Sequence, residues 1–249
     1  MKRFLKFDQS DKSIGFSARN MVEGPESDML NLFVEQYIGR LDSNRKHYAL
    51  FFEPLMPTGY PDLVIVQYNP AVYDEWTDQR GALQILDLKL LHHLHFARGA
   101  TSGMLSKRLG MEGGLLLKSL ERLMDASLAD RNRKTKQWVP SKLRQSYSVQ
   151  GIKTIEAKIS DWGNVFKQAG MNRLFASESY VLSPVANPAP HIVAKAHENG
   201  IGIFSMPDGK KIKLLRKPER ISGLPVSYAS WLFNEWIGRR LVPTRKVAQ

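Results

Sequence analysis

An acidic and a basic side chain stand two positions apart near the middle of the chain, at Glu156 and Lys158. The surrounding run, Ile152 to Ile159, is rich in β-branched residues and predicts a β-strand. Because side chains alternate along a strand, Glu156 and Lys158 are expected on one face and Ala157 on the other. Such a pair is costly in a plain core. It is useful beside a divalent metal, where a carboxylate is a ligand and an ammonium holds a water or a phosphate oxygen.

A second carboxylate in a suitable setting lies upstream, at Asp62. The segment from His47 to Gln67 contains two apolar runs separated by a Pro57-Thr58-Gly59 turn, which predicts a β-hairpin. Asp62 follows Pro61 at the start of the second strand. An aspartate after a proline is also a common turn residue, but the downstream pair favours a metal ligand here.

These two steps resemble the signature of the PD-(D/E)XK, or restriction-endonuclease-like, nuclease superfamily. The matching residues are Pro61-Asp62 and Glu156-Ala157-Lys158. Two further positions match the pattern. Glu26 lies in the first turn of a predicted helix before the hairpin, and Gln168 lies in a predicted helix after the Glu-Ala-Lys strand.

The resemblance covers about residues 20–68 and 148–206 and implies an α/β fold, in which a mixed central sheet is flanked by helices. It also implies Mg²⁺-dependent hydrolysis of DNA phosphodiester bonds, with Mn²⁺ as a substitute. Asp62, Glu156 and the Ala157 carbonyl would hold the metal. Lys158 would orient a water or stabilise the developing negative charge.

The resemblance gives the neighbouring polar residues supporting roles. Gln168 would contact the nucleophile or the DNA backbone, and Lys167 and Arg173 are expected phosphate contacts. Glu26 would bind or orient a second metal or a water, although a carboxylate in a first turn is also favourable to the helix dipole. Glu53, in the first strand of the hairpin, is expected to face either the site or solvent.

Asp62 and Glu156 are 94 positions apart, which is too far for a simple loop in a compact domain. A folded insertion accounts for the distance if its two ends lie together, as the ends of adjacent strands do. Residues 82–147 predict three helices followed by a basic hairpin, the order of a winged helix-turn-helix. Residues 1–81 and 148–249 are then the two segments of the nuclease core, the second with a C-terminal helix.

The predicted hairpin of the insertion is basic and suits contact with DNA phosphates or the minor groove. Gly113-Gly114 opens the third helix, where base-reading side chains usually lie, so affinity is expected to come mainly from phosphates. The alternative is a protein-interaction domain. The candidate DNA-binding residues of this segment are Lys118, Arg122, Arg131, Arg133, Lys134 and Lys136.

The composition agrees with a nucleic-acid partner. The 249 residues carry a formal net charge of +12, which suits a polyanion, although a generically basic surface would give the same value. No cysteine is present, which excludes a disulfide framework and a thiolate metal site and fits a reducing compartment. The sequence shows no signal-peptide core and no long apolar run, so no membrane partner and a cytoplasmic location are expected.

The sequence thus predicts a metal-dependent DNA endonuclease whose winged helix aids DNA binding. One alternative is a non-catalytic DNA-binding or regulatory protein on the same fold. Another is a nuclease subunit that is active only within a larger transposition or defence complex. A homodimer or a larger DNA-processing complex are the further partners expected. A metal held by Asp62 and Glu156 would favour catalysis.

Overall fold

The computed structural model describes residues 3–42, 45–209, 211–221 and 226–242. Within these ranges the protein is α/β, with a mixed seven-stranded sheet flanked by helices. None of the helices there combines the length and the apolar character that crossing a bilayer requires.

The strands of the sheet are β1 (Phe4–Phe7), β2 (His47–Phe52), β3 (Leu63–Tyr68), β6 (Val149–Ala157), β7 (Glu178–Ser183), β8 (Gly202–Ser205) and β9 (Lys213–Arg216), and a separate ribbon contains β4 (Ala129–Arg131) and β5 (Trp138–Pro140). The helices are α1 (Pro25–Leu41), α2 (Ile85–Ala97), α3 (Ser102–Leu109), α4 (Gly113–Asp125), α5 (Leu143–Ser146), α6 (Trp162–Asn172), α7 (Pro190–Glu198) and α8 (Tyr228–Leu241).

The strands of the large sheet follow the order β1-β2-β3-β6-β7-β8-β9. β2 and β3 form the predicted hairpin, in which Phe52 pairs with Leu63. β3 pairs antiparallel with β6, while β6, β7 and β8 are parallel to one another. The start of β3 and the end of β6 therefore meet at one end of the sheet.

The two faces of this sheet bury apolar side chains against different helices. α1 packs Phe33 and Tyr37 against Ile155 and its neighbours on one face. α6 and α7 cover the other face, where they pack around Val181 and Ile203. Each helix presents an apolar stripe to the sheet. Because side chains alternate along a strand, successive residues of β6 point towards α1 and towards α6.

The described parts of the chain divide into two compact units. Unit 1 is Met1–Tyr68 with Val149–Leu224 and contains the large sheet; unit 2 is Asn69–Ser148 with Pro225–Gln249. The insertion was expected to begin at 82, and the C-terminal helix was expected with the core. Instead, unit 2 begins earlier and includes α8.

Two long-range contacts explain why α8 belongs to unit 2. Glu235 of α8 forms a buried ion pair with Arg80, at 2.5 Å between Oε1 and Nη2. Trp231 stacks on His95 of α2, with ring centroids 5.4 Å apart. Partners so distant in the sequence leave no local pattern, and for this reason helical periodicity alone could not assign the helix to a unit.

The two ends of the segment between β3 and β6 lie side by side, as an insertion requires. In unit 1, Tyr68 pairs with Val149 after a register shift in the ladder. In unit 2, the Asn69 N–H donates to the Ser148 carbonyl at 2.8 Å. The inserted segment therefore begins at the end of β3 and ends at the start of the neighbouring strand β6.

Unit 2 contains the predicted succession of three helices and an antiparallel ribbon, α2-α3-α4-β4-β5. Thr101 caps α3, because its hydroxyl accepts from the Met104 N–H. Leu105, Leu116 and Leu120 are buried between the helices. These local signals were readable in the sequence, since caps and apolar periodicity depend only on near neighbours.

Candidate functional site

A cavity of about 270 Å³ lies at the end of the sheet where β3 begins and β6 ends. Five of the residues predicted from the sequence line it, and we call it the acidic cavity. They come from four places: the first turn of α1, the turn before β3, the end of β6, and α6. These residues are Glu26, Asp62, Ala157, Lys158 and Gln168.

Asp62 joins the two central strands of the sheet. Its Oδ2 accepts the Ala157 N–H at 2.7 Å. Burial raises the pKa of Asp62 to about 6. The Ala157 hydrogen bond opposes that rise, and the negative charge of Glu53 adds to it. Asp62 is therefore mostly ionised at neutral pH, and its buried charge lowers the free energy of unfolding.

Glu156 lies beneath the acidic cavity and does not line it. Its side chain points to the α6 face, and the residue is only 2 % exposed. The Asn172 amide donates to its Oε1 at 2.6 Å. Burial, together with the negative charge of Asp62, raises the pKa of Glu156 well above its usual range. The fold thus brings the two predicted metal ligands near enough to repel one another.

Lys158 has a different partner from the one expected. The strand was predicted to extend past Ala157, with the ammonium beside Glu156, but β6 ends at Ala157. Lys158 Nζ instead forms an ion pair with Glu26 Oε2 at 2.7 Å, and this hydrogen bond raises the pKa of Lys158. Beyond the strand end, the long side chain is not held to the strand's alternation, so it reaches the first turn of α1.

Two further residues of this cavity, Arg19 and Glu53, were not assigned to the site from the sequence. Glu53 follows β2 with a left-handed backbone, at φ +47°, and is 5 % exposed. This turn breaks the strand alternation, so the sequence did not fix the direction of its side chain. Arg19 Nε donates to Glu53 Oε2 at 2.7 Å, and Arg19 Nη2 lies 3.7 Å from Asp62 Oδ1. The structure therefore adds an acid and a guanidinium to the predicted set.

Buried negative charge exceeds positive charge at this site. Burial raises the pKa of Glu53 as well, so Asp62, Glu156 and Glu53 are all acids that the fold makes harder to ionise. Among the described residues lining the cavity, Arg19 lies beside two of them, and Lys158 is paired elsewhere. Clusters of acids with raised pKa values are typical of functional sites.

The chemistry of these donors fits Mg²⁺. Within the described ranges, no group of three or more His, Cys, Asp or Glu side chains is arranged to hold a metal alone. Mg²⁺ does not need such a cage, because it keeps several waters and is usually bound by one or two carboxylates plus substrate phosphates. Asp62, Glu156 and the Ala157 carbonyl are hard oxygen donors of that kind.

Six of the predicted phosphate contacts are exposed. Four belong to the ribbon formed by β4, β5 and their turn (129–140), which we call the wing; the Asn132 side chain holds its tip by accepting from two backbone N–H groups. One lies on α4 and one on α6. These exposed residues are Arg131, Arg133, Lys134, Lys136, Lys118 and Lys167.

The other two predicted contacts have internal partners. Arg122 donates to both carboxylate oxygens of the fully buried Asp87, at 2.8 and 2.7 Å. Arg173 donates to the Asn199 carbonyl and, at 2.8 Å, to Glu219. The two-bond contact of Arg122 with Asp87 joins α4 to α2, and the bonds of Arg173 join the end of α6 to the end of α7 and to Glu219. Both side chains therefore have a structural role, and their contact with DNA stays a prediction.

Comparisons of the chain with protein-family models, with curated proteins and with solved structures found no match. The function proposed below therefore depends on the chemistry of the site itself.

Proposed function

We propose that this protein is a metal-dependent DNA endonuclease similar to the PD-(D/E)XK, restriction-endonuclease-like superfamily. The observation that carries the proposal is the convergence of Glu26, Asp62, Lys158 and Gln168 at one cavity, directly above the buried Glu156. These five positions were singled out together because of the superfamily resemblance, and they come from separate parts of the chain. Their meeting at one end of a sheet supports a common chemical role.

The order of elements supports the same likeness. α1 precedes the β2–β3 hairpin, and Asp62 stands directly before β3. Glu156 lies near the end of β6, which is followed by α6 and the parallel strand β7. This is the succession expected of a restriction-endonuclease-like core, and it surrounds the insertion.

Asp62, Glu156 and the Ala157 carbonyl would hold Mg²⁺, and Mn²⁺ would substitute for it. When bound, the metal would lower the pKa of a water and neutralise charge on the scissile phosphate. Burial raises the pKa values of Asp62 and Glu156, and a neighbouring carboxylate adds to each rise, Glu53 for Asp62 and Asp62 for Glu156. A bound cation would offset both effects.

The side chains of the cavity would position the substrate. The ion pair with Glu26 keeps Lys158 charged, and its ammonium can orient a water or stabilise negative charge on a phosphate oxygen. The exposed Gln168 amide can donate to the DNA backbone. Arg19 is about half exposed and adds a second cation for an anionic substrate.

Unit 2 would act as a winged helix-turn-helix that aids DNA binding. The exposed lysines and arginines of the wing suit contact with phosphates. Gly113-Gly114 at the start of α4 offer no side chains that could read nucleobases. Binding of this kind tolerates many sequences and is weakened by salt. Partners other than DNA would be a second copy of the chain or a larger DNA-processing complex.

Cleavage of supercoiled plasmid and of branched DNA, with Mg²⁺, with Mn²⁺ or with a chelator, tests the proposal. We expect metal-dependent nicking by the wild type and none by Asp62→Asn or Glu156→Gln. Glu198→Gln, which changes an exposed acid on α7, is the matched control and should cleave normally. Full cleavage by Glu156→Gln would refute the assignment. DNA binding by the wild type without any cleavage would instead favour a regulatory protein or a partner-dependent subunit.

A further inference from the structure

A second cavity, of about 250 Å³, lies at the opposite end of the same central strands, where β3 ends and β6 begins. Its lining includes Lys46, Lys153, Arg220 and Glu178, and we call it the basic cavity. It belongs entirely to unit 1, as the acidic cavity does. No sequence pattern pointed to it.

The basic cavity carries more positive than negative charge. Lys153 Nζ lies 3.0 Å from Glu178 Oε2, and Arg220 Nε lies 3.8 Å from Glu178 Oε1. Lys46 Nζ lies 3.4 Å from the Gln67 side-chain oxygen. One carboxylate therefore faces three cations on one lining.

Lys153 is partly buried beside the basic cavity. It lies on a central strand, on the face that α1 covers, and its side chain is only 31 % exposed. Its ammonium also lies 3.4 Å from the Tyr37 hydroxyl and 6.0 Å from the centre of the Tyr180 ring. Glu178 pairs with both Lys153 and Arg220, and Lys46 adds a third cation to a lining that has this one carboxylate. The lining therefore keeps a net positive charge.

We propose that the basic cavity binds a phosphate group, with Lys46, Lys153 and Arg220 as donors and Glu178 holding two of them in place. The cavity is smaller than the usual range for drug-sized ligands, so it suits a phosphate with little attached mass. The inference rests on this cavity alone and does not need the catalytic proposal.

Two sources supply this chemistry: a free phosphorylated small molecule, or a backbone phosphate of DNA. The two cavities are separated by about six residues of β6, or roughly 20 Å at ~3.3 Å per residue. DNA presents one phosphate per ~3.4 Å on each strand, so a duplex of a few base pairs spans that distance. A backbone phosphate held here would anchor DNA away from the acidic cavity.

The test compares two double variants that lose the same charge. Lys46→Gln with Arg220→Gln removes two cations from the basic cavity, while Lys211→Gln with Lys217→Gln removes two exposed cations outside it. Binding of inorganic phosphate is followed by ³¹P NMR titration, and binding of a short duplex by fluorescence anisotropy at several salt concentrations. Circular dichroism checks that each variant is folded. If the cavity variant is not, Arg220→Gln alone replaces it, because that side chain is 72 % exposed.

We expect the cavity variant to bind its phosphate source at least about tenfold more weakly than the control variant, the scale of losing a charge-assisted hydrogen bond. Loss in the inorganic-phosphate titration identifies a small phosphorylated ligand. Loss only with DNA, together with a fall in salt slope of about 0.9 for each phosphate that is no longer neutralised, identifies a backbone phosphate. Equal behaviour of the two variants in both titrations would overturn the proposal.

Discussion

Two buried carboxylates of unit 2 are each paired with an arginine, whereas three at the acidic cavity of unit 1 share one. In unit 2, Asp87 and Glu235 are almost completely buried. Each has its own arginine in a two-bond contact, Arg122 for Asp87 and Arg80 for Glu235. Each carboxylate therefore has a guanidinium partner of fixed geometry.

At the acidic cavity, Asp62, Glu156 and Glu53 lie together, and Arg19 is the guanidinium beside them. All three have raised pKa values, with burial as the first cause. Their hydrogen bonds from neutral groups, at Ala157 and Asn172, lessen the cost without removing it.

Under the proposed function, the difference separates buried acids that hold a fold together from buried acids that would bind a cation. Removing one partner of a buried ion pair strongly lowers stability, because the other charge is left buried without a partner. An unbalanced acidic group lowers stability, and such groups cluster at functional sites. The two kinds of buried acid cannot be told apart from the sequence, because only the residues that contact them in the fold differ.

The largest effect is expected in unit 2. Arg80→Met leaves Glu235 buried without its partner and should lower the free energy of unfolding by about 3–5 kcal/mol, as measured by urea denaturation. The double variant Arg80→Met with Glu235→Leu removes both charges and should recover most of that loss. A single variant as stable as the wild type would mean that this pair is not structural.

The next effect concerns catalysis. Lys158→Met should lower the rate of metal-dependent cleavage by about 10²–10³-fold, as loss of one positioned electrostatic group does. Lys195→Met, which changes an exposed lysine on α7, is the control for loss of charge and should change the rate much less. If both variants lose activity equally, Lys158 has no special role.

A stabilising variant sharpens the contrast between the units. Asp62 has a folded pKa of about 6, above the value of 3.8 for an unperturbed aspartate. The folded state therefore binds more protons between those values, and the wild type loses stability as pH rises through them. Asp62→Asn does not titrate, so it should exceed the wild type in unfolding free energy at pH 8 by on the order of 1–3 kcal/mol. The difference should shrink towards pH 4 in urea titrations. A difference independent of pH would contradict the account of the buried charge.

The smallest effect is expected in the wing. Changing Arg131, Arg133, Lys134 and Lys136 to Gln should weaken DNA binding and flatten its salt dependence by about 0.9 for each phosphate that the wing no longer neutralises. Fluorescence anisotropy at several salt concentrations measures both, and the metal-dependent behaviour of the acidic cavity should remain. An unchanged salt slope would favour a protein-docking role for unit 2.

Local features of the fold were predictable from the sequence. A turn between two apolar runs predicted the β2–β3 hairpin. The start of α1 is also a local feature, because Pro25 is favourable in a first helical turn. The positions of Glu26 and Asp62 followed from those elements, because each stands beside a boundary that near neighbours determine. The placement of these acids at one cavity followed from the superfamily resemblance.

Features that depend on distant partners were not predictable. Arg19 reaches the site because the chain around it hydrogen-bonds the backbone at Glu53. Glu53 itself has a left-handed backbone, a conformation that the sequence would signal only if the residue were a glycine. Arg122 was predicted only as a DNA contact, because its partner Asp87 lies 35 positions away and the sequence does not show that they meet. Such pairings arise from the tertiary fold and leave no periodic signal.

The central claim is that the unbalanced acids of the acidic cavity are there to hold a divalent cation. Isothermal titration of Mn²⁺ into the DNA-free protein at pH 8, above the pKa of Asp62, tests it most directly. We predict saturable binding by the wild type and by Glu198→Gln, and its loss in both Asp62→Asn and Glu156→Gln. Absence of Mn²⁺ binding by the wild type, or binding that survives both substitutions, would contradict the claim.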